Sequence, residues 1–193
     1  MPRTKNFNEL DVLRKALKLF WFKGYHATSI QDLVDELGIN RASLYDTWGD
    51  KHKLYVASLK LYRQSASSLL LEDIRSDMPA RQVIESFLSR IVDDVIQDKQ
   101  MKGCFLVNAA TELANLDSEI NQIVEENRKT IVEVLAEIIK EGQEKGEFRS
   151  TKSPQALARF MFNSINGLRV NAKSDMPRDE LEEVVEITLE AFD

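Results

Sequence analysis

Between Phe7 and Lys23, Leu10, Leu13, Leu17, Phe20 and Trp21 recur at three- and four-residue spacing, which places apolar side chains on one face of a helix. Gly24 ends that helix. Thr28-Ser29-Ile30-Gln31 has the form of a capping box, in which the Thr hydroxyl accepts the third backbone N–H and the Gln side chain returns the bond. A second helix is therefore predicted to about Leu37. Gly38 suits the left-handed position just past a helix end, and Asn40 can cap a short third helix over residues 41–48. Gly49-Asp50 makes another break and cap, and Lys51 opens a long fourth helix through Leu54, Leu59, Leu61 and Leu69 to about Asp73.

Met78-Pro79 marks a stop and restart, because proline is tolerated in a first helical turn but not in a helix interior. The fifth helix reads through Val83, Ile84, Phe87, Leu88, Ile91 and Val95. After a polar break from Lys99 to Gly103, residues 104–115 read as a sixth, mostly apolar helix. Asp117 caps a long seventh carrying Ile120, Ile123, Val124, Ile131, Leu135 and Ile138, which Gly142 and Gly146 close. Ser153-Pro154 starts a helix with Leu157, Phe160, Met161, Ile165 and Leu168, and the last follows Pro177 with Leu181, Val184, Val185 and Leu189. No segment alternates with strand period. The fold class is all-α, with about nine helices and no repeat or low-complexity tract.

Composition agrees, since Gly and Pro together supply 11 of 193 residues, about half of average usage, which leaves few positions for turns. Charge is less simple. The net charge of −6 argues against a nucleic-acid partner when the chain is taken whole. Yet residues 1–63 hold 11 Lys and Arg against 7 Asp and Glu, while residues 64–193 hold 15 against 25. The first part is +4 and the second −10, so only the first is suited to approach an anion. No apolar run reaches the roughly 18 residues needed to span a bilayer, and Met1-Pro2-Arg3-Thr4-Lys5-Asn6 lacks a signal-peptide core, so a cytoplasmic location is expected. The single cysteine, Cys104, excludes internal disulfides and cysteine-rich zinc sites.

Helices two and three, joined around Leu37-Gly38-Ile39, form a helix-turn-helix whose second member can lie in a DNA major groove. Leu44 and Trp48 would pin that helix to its neighbours and leave Ala42, Ser43, Tyr45 and Asp46 facing outward or sideways. The stretch from Phe20 to Leu33, then Leu37-Gly38-Ile39-Asn40-Arg41-Ala42-Ser43-Leu44-Tyr45 followed by Trp48-Gly49-Asp50-Lys51, resembles the TetR family of one-component transcriptional regulators. The likeness covers about residues 7–63; beyond that it rests on length and helical content. It implies an N-terminal DNA-binding domain over residues 1–50 and a ligand-binding and dimerisation domain over 51–193, with helix 51–73 connecting the two.

By position, the resemblance implies that Thr28 and Ser29 meet a phosphate at a helix N-terminus and that Tyr45 and Lys51 hold phosphates too. Arg41, Ala42 and Ser43 would approach bases, with Gln31 and Thr47 as further contacts. Arg3 and Lys5 belong to an N-terminal arm, either a groove contact or a solvated tail. The family pattern breaks at Asp46-Thr47, where an aromatic or histidine is common.

Both histidines, His26 and His52, lie in the first part, and no Gly-x-Gly phosphate loop occurs, so the body has no catalytic or metal-binding set and no cofactor is expected. The resemblance implies a homodimer through the last two helices, bound to a double-stranded operator and released by a small-molecule effector. Candidate effector residues are Phe87, Ile91, Cys104, Asn108, Phe162 and Asn166. The amides Asn108, Asn163 and Asn166 sit in apolar helices, where a ligand or a neighbouring helix can satisfy them. Cys104 follows Lys102-Gly103 at a helix start, where it is either a small buried hydrophobe or a reactive thiolate. The rival readings are an effector-independent DNA organiser, a protein-interaction bundle, and a thiol-based redox or electrophile sensor acting through Cys104.

Overall fold

The computed structural model describes residues 7–74 and 78–193, with side chains throughout that range except over 66–74. Arg3 and Lys5 lie outside it. The described residues form nine helices and no strand. They are α1 (Glu9–Lys23), α2 (Ile30–Leu37), α3 (Arg41–Trp48), α4 (Lys51–Ile74), α5 (Ala80–Gln97), α6 (Phe105–Glu112), α7 (Ser118–Glu144), α8 (Pro154–Asn171) and α9 (Arg178–Glu190).

Most helix starts are set by side chains within three residues. The Asn8 carboxamide accepts from Leu10 N and Asp11 N, Asn40 from Ser43 N, Asp117 from Glu119 N and Ile120 N, and Ser153 from Ala156 N. These bonds satisfy donors that the first turn leaves without partners. The capping box of α2 is displaced by one residue from its expected place. Ser29, not Thr28, is the cap: its hydroxyl accepts from Asp32 N, and the Asp32 carboxylate takes the Ser29 N–H. Thr28 turns inward, fully buried, and its hydroxyl donates to the Gly24 carbonyl at 2.6 Å. Pro79 is likewise the cap of α5 rather than part of its first turn, and α6 is shorter at both ends than residues 104–115.

Two apolar cores divide the molecule. The first gathers Phe20 of α1, Leu33 of α2, Leu44 of α3 and Leu54, Tyr55 and Leu59 of α4, together with Phe105 and Ala109 of α6 and Ile120 and Ile123 of α7. The second joins Ile84 and Leu88 of α5, Leu135 and Ile139 of α7, Met161 and Ile165 of α8, Leu181 of α9 and Phe192. The first core therefore runs past residue 50. A unit with two eight-residue helices has too little apolar surface to close alone, and α4, α6 and the start of α7 complete it.

Gly142 does not end α7; it lies inside the helix, buried. A Cβ there would stand 2.3 Å from the Phe148 ring and 3.1 Å from Ala80 Cβ. The ring cannot easily give way, since it packs on Phe192 at 5.2 Å and under the Arg81 guanidinium at 5.4 Å. Gly→Ala in a helix interior ordinarily stabilises by about 1 kcal/mol. Here overpacking wins, and Gly142→Ala is expected to lower stability by about 1–3 kcal/mol in urea unfolding.

Candidate nucleic-acid interface

The α2–α3 turn is built on Gly38, whose φ of 67° is left-handed and whose N–H bonds Val34 O at 3.1 Å. Ile39 anchors the turn in the first core, and Leu44 fixes α3 from within. Trp48 stacks on Phe7 at 6.3 Å. With that side of α3 held, Arg41, Ala42, Tyr45 and Asp46 are exposed and Ser43 is half-buried. This is a short helix offering one small, one aromatic and one cationic side chain, with an acid beside them.

Two expected contacts lie on the wrong side. Thr28 is enclosed, with its hydroxyl on Gly24 O and its N–H on Tyr25 O, so neither group can meet a phosphate. The Thr47 hydroxyl is buried, without a partner among the described residues, rather than on the exposed surface of α3. Ser29 is exposed, but its hydroxyl is tied to Asp32 in both directions. Asp32 in turn pairs with Lys23 at 2.8 Å. The Lys23 ammonium, then the Ser29 N–H and hydroxyl, hold the Asp32 carboxyl well below the usual carboxylate range. The helix-dipole site at the start of α2 is thus filled by the chain's own anion. Gln31 is exposed and donates to Asp35 at 2.8 Å. Lys51, half-buried, places its ammonium 4.3 Å over the Tyr25 ring; burial pulls its pKa down, against the pull of Glu112 and Asp32.

Behind this face, the head is bonded directly to α6 and to the loop before it. The Glu112 carboxylate accepts the Tyr25 N–H at 3.0 Å and the His26 N–H at 2.8 Å. The Trp21 indole N–H donates to the Gly103 carbonyl at 2.8 Å, with the Lys102 ammonium 5.1 Å from its ring. Helices α4 and α7 join through His52–Asp117 at 2.6 Å, Lys60–Glu119 at 3.1 Å and Arg63–Glu126 at 2.6 Å. The Ile120 N–H, then His52, lower the Asp117 carboxyl. Glu112 and Trp21 were not among the expected functional residues. The available signal was Glu112 as the one charged residue of α6.

A cavity of about 380 Å³ lies between the two cores, walled by Trp21, Tyr62, Phe87, Ile91 and Cys104 and by the charged Arg90, Asp94, Asp98, Lys102 and Arg169. Of the effector candidates, Phe87, Ile91 and Cys104 line it. Phe162 lines a neighbouring space of about 20 Å³, and Asn166 lines neither. The Asn108 carboxamide is spent on the Lys102 carbonyl at 2.8 Å, the loop-to-helix solution to a half-buried amide. Cys104 is 3% exposed and its sulfur faces the Tyr62 hydroxyl at 3.6 Å and the Arg169 guanidinium at 3.8 Å. Among the described residues no group of three His, Cys, Asp or Glu could hold a metal, and no helix is long and apolar enough to cross a membrane.

Comparison with known proteins places this arrangement. Residues 12–57 match the family model described as bacterial regulatory proteins, tetR family, and residues 74–187 match the tetracyclin repressor-like C-terminal domain. The uncharacterized HTH-type transcriptional regulator YezE of Bacillus subtilis is 29% identical over the whole of both chains. The HTH-type transcriptional repressor ComR of Escherichia coli is 26% identical, over 97% of this chain and 90% of its own. Among solved structures, a cysteine mutant of the TetR family transcriptional regulator CifR, complexed with a 26-bp double-strand operator DNA, superposes with a TM-score of 0.87. It is 26% identical over 99% of this chain and all of its own.

The Glu112 bonds carry a direct test. In Glu112→Gln the two loop N–H groups lose a charged acceptor, which is expected to cost about 1–3 kcal/mol of stability in denaturant unfolding. Amide exchange at Tyr25 and His26 should quicken while α8 is unchanged; unaltered exchange at both would show that the carboxylate does not hold the loop.

Proposed function

The chain belongs to the tetR family of bacterial regulatory proteins, and we propose that it is a cytoplasmic, ligand-responsive transcriptional repressor, binding a two-fold operator as a homodimer. The observation that carries the reading is the position of Trp21. It belongs to the DNA-reading head and also forms a wall of the body's cavity. A molecule in that cavity touches the head without an intermediary.

The exposed side of α3 supports DNA reading by Arg41, Ala42 and Ser43, with Tyr45 and Lys51 set for phosphates. Operator binding by the CifR neighbour and the repressor name of ComR support it from outside. Dimerisation rests on α8 and α9, which leave Phe160, Val170 and Ile187 at 45%, 50% and 64% exposed, more apolar surface than a solitary bundle needs. A cavity of about 380 Å³ also favours ligand response over an effector-independent DNA organiser, whose body would pack closed. Release is a population shift: the effector must prefer the arrangement that cannot bind DNA, and moving the balance from 1:99 to 99:1 takes about 5.5 kcal/mol.

The test begins with an operator selected from random DNA. Lys51→Ala is expected to weaken binding to all sequences and to reduce the log–log salt slope by about 1, whereas Arg41→Ala should cost about 1–3 kcal/mol and relax sequence preference. An unchanged slope removes Lys51 from the phosphate contacts. Retention of full affinity and preference by Arg41→Ala, together with an unchanged Lys51→Ala, sinks the DNA-reading assignment of this face.

A further inference from the structure

At about 100° per residue, Ala42 and Asp46 fall about 160° to either side of Leu44, the buried anchor of α3. They are one helical turn apart and both exposed, so the ridge of α3 that stands farthest from the core carries a methyl group and a carboxylate. Ser43 and Tyr45 flank that ridge. Among the described residues the Asp46 carboxylate has no hydrogen bond and no ion pair. Arg41, about 140° round the helix, does not reach it.

Other acids of the head are bonded where they stand: Asp32 to Lys23 and Ser29, Asp35 to Gln31, and Asp50 to the Lys53 N–H. Nothing local favours an acid at position 46. It lies in the last turn of α3, where the negative end of the helix dipole repels a carboxylate, and aspartate is a poor helix former. The free protein therefore carries this side chain at a cost, on the surface that α3 turns outward.

In a major groove a carboxylate can only accept hydrogen bonds. Guanine presents N7 and O6, and thymine O4 and a methyl group, none of them a donor. Adenine presents an amino group beside N7, whose lone pair faces the second carboxylate oxygen. Cytosine alone presents an amino donor with no acceptor on its own edge. On the middle of the ridge, Asp46 enters the groove between the two rows of phosphates and not against either. Ala42, one turn back, leaves room for the close approach that so short a side chain needs. Resting on the reading that α3 enters a major groove, we infer that Asp46 is a base-reading residue, its carboxylate accepting from the N4 amino group of a cytosine in the operator.

The test is selection from random duplex DNA by the full-length chain and by its Asp46→Ala, Asp46→Asn and Arg41→Ala variants, with affinities measured by fluorescence anisotropy. The unmodified protein is expected to prefer a C·G pair at one position under α3 by about tenfold or more. Asp46→Ala should lose that preference alone and bind unrelated DNA more tightly, since a negative charge is gone. Asp46→Asn should shift the preference toward A·T, because an amide pairs with N6 and N7 of adenine together. With no bond to lose, both variants should unfold at an unchanged or higher urea concentration; a lower midpoint would give the carboxylate a structural role and overturn the inference. It is also overturned if Asp46→Ala keeps every base preference, loses one at a pair other than C·G, or tightens binding to all sequences equally. Selection that responds to Arg41→Ala and not to Asp46→Ala sinks this inference and leaves α3 as the reading helix. Indifference to both variants, or no enriched sequence at all, sinks the two together.

Discussion

The ring of Tyr55 on α4 has no exposed surface, and three rings close around it edge-on: Phe20 of α1 at 5.1 Å, Tyr25 of the α1–α2 loop at 5.1 Å and Phe105 of α6 at 5.3 Å. Each such pair contributes about 0.5–1.5 kcal/mol beyond the area it buries. Among the described residues its hydroxyl finds no hydrogen-bond partner, a penalty of about 1–3 kcal/mol. Together the three contacts contribute about 1.5–4.5 kcal/mol, which offsets that penalty. Helices from the head and from the body therefore pack on one shared ring, and the orientation of the reading face follows from where α6 lies. Close-packed interiors move by discrete repacking rather than by continuous deformation, so a shift of α6 is transmitted to α1 and α4.

The same junction explains how an acidic protein keeps a net-positive N-terminal part able to approach an anion. Three carboxylates that would otherwise repel phosphate near the head are spent on internal donors: Asp32 on Lys23 and Ser29, Glu112 on two loop N–H groups, and Asp117 on His52 and the start of α7. Each takes up a positive charge or backbone donors from within. The exposed cation of α3, Arg41, stands outside these pairings. A net charge of −6 and a head that meets an anion are then compatible, because charge is distributed by structure and not by total.

Legibility in the sequence followed the range of the interaction. Asn40, Asp117 and Ser153 bond donors two or three residues away, so their helices could be placed to within about a residue from local pattern. Thr28 and Ser29 are equally able caps by chemistry. What separates them is the buried site around Gly24 O that draws Thr28 inward, and no local rule contains it. Gly142 looked like a helix end for the same reason: glycine does end helices, but here it makes room for the Phe148 ring that returns after the turn. Glu112 and Trp21 serve partners 82 to 87 residues distant, and nothing near them in the chain announces it. Asn108 is the complementary case, since an amide in an apolar helix reads alike whether its partner is a ligand or the Lys102 carbonyl.

The magnitudes decide how a cavity ligand could act on the reading face. Loss of the Trp21–Gly103 bond alone changes the balance by about 0.5–1.5 kcal/mol, far below the roughly 5.5 kcal/mol that a complete switch requires. The two Glu112 bonds, each to a charged acceptor, are worth about 1.5–3 kcal/mol apiece. Taken with the indole bond they reach about 3.5–7.5 kcal/mol, which spans the requirement. A ligand that only displaces the indole is therefore a weak effector. One that moves α6, through Cys104 at its start and the loop that carries Gly103, reaches Glu112 at its other end within eight residues, because a helix translates as a unit. In the proposed ligand response, the short α6 between cavity and loop would be the element on which coupling depends, more than the long helices on either side of it.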